Sequence, residues 1–346
     1  MNYKNKIYGA ITGAAVGEAM GAATSCWTTG LILDKYGKYV TELIEPPVST
    51  KTKGESKAGE VTDGFSFSKM MMERMIEDKG IITQKQCEEV LVSWAENKKF
   101  YKFAKINSES AYNEFAEEAN NYRYPYLTFD HHRATYEAAT RAVAIAVFLP
   151  GNPDMAVEQL CHCYKRVFNN VYCLAGAGAV AAAITTAMKD GASYYDILAA
   201  GVAGADRAEK CADSFRCQPC ALSNPRKRIQ IAIEIGNKYA GDFEKAMKEL
   251  EECIGTSEVV SESVATVFGI IAACKGNYQE SMKMAVNIGG ETDALATMVG
   301  AILGAFTPNA VKKKDIETVE RANGYNLKEL SEKVNKVAKE IEHSYI

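Results

Sequence analysis

The stretch GGETDALATM, beginning at Gly289, sets two carboxylates, Glu291 and Asp293, either side of one threonine, behind a glycine pair and ahead of an apolar run. Earlier in the chain, GEVTDGFSFS from Gly59 follows a similar plan, with Thr62 and Asp63 ahead of a helix-like run. Hard divalent cations such as Mg²⁺ take carboxylates, hydroxyls, carbonyls and water as ligands. Thr62, Asp63, Glu291 and Asp293 are therefore a candidate metal set if the two loops meet. The competing explanation is local. A Thr, Asp or Glu at a helix start caps free N–H groups, and an acid there is favoured by the helix dipole. Taken singly, each loop is more often a cap; the tandem acids behind Gly289 and Gly290 tilt the second loop towards function.

The elements that must position these loops are helices. Periodicity of the helical kind dominates, and no convincing run of alternating strand residues occurs. FSKMMMERMIEDKG puts Met72, Met75 and Ile76 on one face and ends at a glycine. YEAATRAVAIAVFLPGNP predicts a helix stopped at Pro150, and VYCLAGAGAVAAAITTAMKDG one ended by Gly191. YYDILAAGVAGADRAEK, SEVVSESVATVFGIIAACKGN (stopped at Gly276) and DALATMVGAILGAF (before Pro308) continue the series. Gly9, Gly13, Gly17 and Gly21 recur every fourth residue, and Gly300 and Gly304 repeat the spacing. On a helix such glycines form one smooth stripe that lets a neighbouring backbone approach closely. In the tail, Leu327, Leu330, Val334, Val337 and Ile341 mark a last helix laid on the body. No linker interrupts the pattern, so residues 1–346 read as a single all-α domain.

Composition narrows the partners. The chain has 346 residues, 47% of them hydrophobic, and a net charge of −4. No basic stripe with interleaved aromatics occurs, which argues against nucleic acid. The opening MNYKNKIYGA has no apolar segment after its lysines, so no secretory signal is expected. The run from Val171 to Met188 is uncharged but rich in Ala, Gly and Thr, which favours a buried helix over a membrane span. The ten cysteines are scattered, several in apolar runs, which suits free thiols in a reducing cytoplasm. Cys217 and Cys220 have CxxC spacing with Cys211 nearby, but no second pair lies close enough in sequence for zinc.

These residues carry a family resemblance. The chain resembles the ADP-ribosylglycohydrolases of the DraG type over roughly Ile7 to Pro308, with a helical extension over 310–346. The family's G-D-A-x-G helix is matched by GAAVGEAMG, Gly13 to Gly21, and its T-D-D-T loop by Thr62-Asp63-Gly64-Phe65. Its arginine-bearing helix is matched around Arg141, and its G-G-D-T-D-[TSA] loop and following helix by GGETDALATMVGAILGA. GEAMGAATSCW, TDGFS and GGETDA are similar to a branch linked to nucleoside catabolism, which favours a small riboside over an ADP-ribosylated protein. The resemblance implies a compact orthogonal helical bundle. It also implies a cleft holding two Mg²⁺ (or Mn²⁺) ions between the acidic loops and hydrolysis at the anomeric carbon of a ribosyl substrate. Four positions depart from the pattern: Glu18 and Glu291 stand for Asp, Gly64 for the second loop Asp, and Ala294 for a hydroxyl ligand. Those departures leave three outcomes open: two ions, one ion completed by water, or a lost metal site.

Cleaving an N-glycosidic bond builds positive charge on the ribose, which nearby carboxylates stabilise while one activates water. Asp63, Glu291 and Glu18 are the catalytic candidates, with Glu291 either a ligand through its longer arm or a base through water. Gly289 and Gly290 are candidates to line the substrate. Arg141 is a candidate to contact a phosphate, against the commoner role of pairing with an acid. Tyr122, Tyr124, Tyr126 and Phe129, beside His131 and His132, are aromatics that stack on a base or, more commonly, pack a loop on the body. The first expectation is a ribosyl N-glycohydrolase acting on a small molecule. The alternative is a non-catalytic relative that binds ADP-ribose or a nucleoside-like ligand; a purely structural helical protein leaves the tandem acids unexplained.

Overall fold

The computed structural model describes residues 3–47, 56–80, 82–101, 103–118 and 133–344. The aromatic stretch with Tyr122, Tyr124, Tyr126, Phe129, His131 and His132 lies outside the described residues. The chain runs through α1 (Lys4–Gly21), α2 (Thr29–Tyr36), α3 (Asp63–Glu77), α4 (Gln84–Glu96), α5 (Lys98–Tyr101) and α6 (Ile106–Glu118). It continues through α7 (Glu137–Thr140), α8 (Val143–Ala146), α9 (Pro153–Tyr164), α10 (Val171–Ala187), α11 (Tyr194–Ser214) and α12 (Pro225–Lys238). It ends with α13 (Phe243–Cys253), α14 (Val260–Ala273), α15 (Tyr278–Asn287), α16 (Thr292–Phe306), α17 (Lys313–Asn323) and α18 (Leu327–Ser344). Among the described residues the only β pairing is isolated bridges, such as Trp27 with Gly290. The all-α class expected from the periodicity is the one observed.

Many helix starts and stops follow from local chemistry. Asn152 and Asn224 cap α9 and α12, each followed by proline at the first helical position. Thr83 with Gln86 and Ser193 with Asp196 form capping boxes on α4 and α11. Gly80, Gly191 and Gly276 take the left-handed conformation just beyond α3, α10 and α14, where a side chain would be strained. One prediction needs correction. The segment before Pro150 is not one helix but two single turns, α7 and α8, with Arg141 at the break. The Arg141 carbonyl accepts from both the Ala144 N–H and the Tyr164 hydroxyl, so bonds to the third residue replace the wider α-helical ones there.

The core is built on helices buried on every side. Fourteen of the eighteen residues of α1 are buried, and sixteen of the seventeen in α10. No helix among the described residues is long and apolar enough to cross a membrane. Helix α10 packs on α9, α11 and α14; α18 lies across α1 and α3 with Leu327, Leu330, Val334 and Val337 buried. The α1–α16 contact is the closest in kind. A Cβ on Gly9, Gly13, Gly17 or Gly21 would strike the carbonyl oxygens of Gly304, Gly300, Ala296 and Thr292 in turn. One series rises as the other falls, so the two helices are antiparallel with backbone against backbone.

Four glycines inside a helix cost roughly 4 kcal/mol relative to alanine at about 1 kcal/mol each, and only this close packing offsets that. Gly13→Val forces α1 off α16 and is expected to cost at least about 3 kcal/mol, the upper end for overpacking. Gly30→Ala, in the exposed helix α2 where a Cβ meets only the Thr28 hydroxyl at 3.9 Å, is expected to be neutral or stabilising by up to about 1 kcal/mol. Thermal melts followed by circular dichroism check both; equal melting temperatures for the two variants would contradict the assignment.

Candidate active site

Antiparallel packing brings the end of α1 to the start of α16, and the second acidic loop is anchored there. Thr292, between the two acids, donates its hydroxyl to the Gly21 carbonyl at 2.9 Å and meets the Thr24 hydroxyl at 2.9 Å. Cys26 N–H donates to the Gly290 carbonyl at 2.7 Å, and Gly290 N–H donates to the Trp27 carbonyl at 3.0 Å. Gly289 and Gly290 have φ of +90° and +70°, and a Cβ at Gly290 would overlap Thr256. The glycine pair thus clamps the loop after α1. Gly290 uses its N–H in that clamp.

The first acidic loop is held from the other direction. Neither Thr62 at the start of α3 nor Glu291 at the start of α16 makes a side-chain capping bond, so the local explanation for these residues fails. The cap of α3 comes from α1. Glu18 Oε2 accepts the Thr62 N–H at 2.8 Å and Oε1 accepts the Phe65 N–H at 3.0 Å. A Cβ on Gly64 would lie 2.7 Å from Glu18 Oε1 and 3.2 Å from the Thr140 side chain. Glu18 and Gly64, two departures in sequence, are therefore one arrangement: the longer acid from α1 occupies the space that a side chain at residue 64 would need. Both Glu18 oxygens hold backbone, which makes it a positioning residue. Thr62 Oγ1 is buried with no hydrogen-bond partner among the described residues.

A third segment, not anticipated from sequence, completes the site. Lys105, just before α6, places its Nζ 3.0 Å from Glu291 Oε2 and 5.4 Å from the centre of the Tyr136 ring. The Tyr136 hydroxyl donates to the same Glu291 oxygen at 2.5 Å, and the Cys26 thiol donates to Oε1 at 3.4 Å. Ser25 Oγ donates to Asp293 Oδ1 at 2.8 Å. The start of α6 is itself capped from a distance. Glu137 accepts the Asn107 N–H at 2.9 Å and the Ser108 N–H at 3.1 Å. Arg141 is wholly buried; it donates to Ser108 Oγ at 2.8 Å and pairs with Asp63 Oδ2 at 3.2 Å. Its guanidinium lies 4.6 Å from the Phe67 ring centre. Arg141 is thus an internal tie for Asp63, the commoner of the two roles weighed for it.

Burial shapes the protonation of these groups. Glu18, Asp63, Glu291 and Asp293 are 2%, 5%, 7% and 9% exposed. Burial, and then the Asp63 carboxylate, push Glu18 up to about 8 against the two N–H bonds it accepts. Burial pushes Asp63 up to about 6, with Arg141 and Lys105 pulling the other way. Burial works against the Lys105 ammonium, yet Asp293, Glu291 and Asp63 outweigh it and hold its affinity for the proton above the usual lysine range.

Comparisons with known proteins give the family and the fold. The ADP-ribosylglycohydrolase family matches residues 1–344. The chain belongs to that family. A curated relative, the uncharacterized protein YegU of Escherichia coli (strain K12), is 24% identical over 303 residues, covering 87% of each chain. A solved structure described as an ADP-ribosylglycohydrolase-related protein complex shares the fold with a TM-score of 0.66 at 18% identity, over 97% of this chain and 99% of that one.

This family member departs from a divalent-metal cleft. Among the described residues no three His, Cys, Asp or Glu side chains are arranged to hold an ion. The reasons are visible at each acid: Glu18 is turned to α3, Asp63 to Arg141, and Glu291 to Lys105 and Tyr136. Ala294 brings no oxygen. Thr62, Asp63, Glu291 and Asp293 as arranged therefore do not fit the expected ion. All ten cysteines are free thiols, Cys211, Cys217 and Cys220 among them. Lys105 and Tyr136 had no motif to mark them; Lys105 is only the last of four lysines in NKKFYKFAK, ahead of a helix.

Two outcomes follow. Gly64→Asp drives a side chain into Glu18 and is expected to lower the melting temperature sharply, and adding Glu18→Ala to recover part of the loss; additive losses would separate the two residues. Between about 4.5 and about 8, the folded chain keeps a proton on Glu18 that the unfolded chain has released. That stability is full below the lower value and is lost as pH rises through the upper one. Glu18→Gln forfeits one N–H bond and melts lower throughout, but its melting temperature should fall less steeply from pH 5 to 8 than that of the unmodified chain. Calorimetry across that range checks the slope; parallel profiles would contradict it.

Proposed function

We infer that the chain is a hydrolase that cleaves an N-glycosidic bond to a ribosyl group, as a single domain acting on a small-molecule riboside. The observation that carries this reading is that Asp63, Glu291 and Asp293 all lie close enough to act on the Lys105 ammonium, while neither Thr62 nor Glu291 makes a side-chain capping bond at its helix start. Carboxylates outnumber cations there. Asp63, Glu137, Glu291 and Asp293 stand there against Lys105 and Arg141. Such an excess favours the positive charge that develops on the ribose ring as the bond breaks.

The roles divide by environment. Asp63 is the general base. One of its oxygens is held by Arg141, and its affinity for a proton, raised to about 6, suits taking one from water near neutrality. Glu291, gripped by Lys105, Tyr136 and Cys26, is fixed in place to stabilise the oxocarbenium-like ring. Asp293 and the unpartnered Thr62 hydroxyl offer acceptors and a donor for sugar hydroxyls. Glu18 and Arg141 hold this set in place from behind. A second reading, a ribosyl-ligand binder without turnover, is favoured by the full engagement of Glu291 and the missing oxygens at Gly64 and Ala294.

Sugar release is measured from ADP-ribosyl-arginine, ADP-ribosyl-serine, common nucleosides and free ADP-ribose. One substrate class should turn over. Asp63→Asn should lower kcat by about 10²–10⁴, the usual range for a lost general base, with KM little changed. Binding of a ribosyl ligand without release from any substrate would establish the binder instead.

A further inference from the structure

The acidic cleft contains a cation made by the chain itself. Lys105 Nζ is 3.0 Å from Glu291 Oε2, and its side chain is only 17% exposed. It sits over the Tyr136 ring, whose hydroxyl shares the same carboxylate oxygen. The position is built rather than incidental. Glu137 accepts the two N–H groups that follow Lys105 by two and three residues, and Ser108 Oγ donates to Glu137 at 2.6 Å and accepts from Arg141. The lysine stem therefore leaves a backbone fixed by a buried, fully engaged carboxylate. A flexible surface lysine would instead trade such a pair for water.

We propose that the Lys105 ammonium is the resident cation between the two acidic loops, taking the place of a divalent metal ion. The charge logic is the same as for an ion: a positive centre among Asp63, Glu291 and Asp293 offsets their mutual repulsion at close range. The geometry differs. An ammonium donates three hydrogen bonds and makes no demand for six oxygens in an octahedron. This explains why the cleft tolerates Gly64 and Ala294, which bring no oxygen, and Glu291, whose longer arm reaches Lys105 and Tyr136. The proposal concerns the occupant of the cleft and does not need the hydrolase reading.

The test is binding of Mn²⁺ to the full chain, followed by the electron paramagnetic resonance signal of the free ion. The unmodified chain is expected to take up no Mn²⁺ in the cleft, and chelator to leave its melting temperature unchanged. Lys105→Met, similar in volume and without charge, is expected to bind Mn²⁺ at least tenfold more tightly, and Asp293→Asn in that background to abolish the gain. Lys105→Arg keeps the charge and should behave as the unmodified chain; with the unmodified titration, it carries the test if the Met variant does not fold. Stoichiometric uptake of Mn²⁺ by the unmodified chain overturns the proposal. So does a folded Lys105→Met variant whose affinity for Mn²⁺ is no greater. Neither readout involves sugar release, so a chain without turnover passes or fails on the same terms.

Discussion

Everything in the cleft depends on the backbone contact between α1 and α16. With glycine carbonyl against glycine, the two helices have one register in which the stripe closes, and that register is antiparallel. It delivers Gly21 to Thr292 and so carries Glu18 to the acids at Glu291 and Asp293. A side chain on any of these glycines would part the helices and move the two ends of the site together, because both are rigid extensions of the same pair.

The other two parts of the site are attached by the same device. A buried glutamate from one element caps the first N–H groups of another helix. Glu18 does this from α1 to α3 and fixes Asp63; Glu137 does it to α6 and fixes Lys105. A carboxylate at a helix N-terminus meets both free donors and the positive end of the helix dipole, which offsets part of its burial. Arg141 then joins the two capped helices through Ser108 and Asp63. Glu291, which faces Lys105 and Tyr136, makes no side-chain capping bond of its own.

The fold and the two acidic loops were legible from the chain, for reasons that are local. Helix periods, glycine stops and the stripe on α1 are short-range patterns, and the family motifs sit in contiguous loops. The helix expected before Pro150 was misread because its backbone is redirected by the hydroxyl of Tyr164, a residue from another helix. The surroundings of Arg141 were illegible for a similar reason: nothing in its neighbours says that Phe67, Trp94 and Phe168 will enclose it.

The amino-acid sequence by itself determined the all-α class and the tight glycine contact of α1, and it marked Thr62, Asp63, Glu291 and Asp293 as candidate site residues. Only the tertiary structure decided what they do to one another. Glu18 and Gly64 looked like two losses in sequence and are one exchange in space, since the same volume is filled from α1 instead of α3. The expected metal set meets an ammonium from a residue that no motif marks, because Lys105 lies far from either loop in sequence and 3.0 Å from Glu291 in the fold. Charge acts through distance in space, and the chain records only distance along itself.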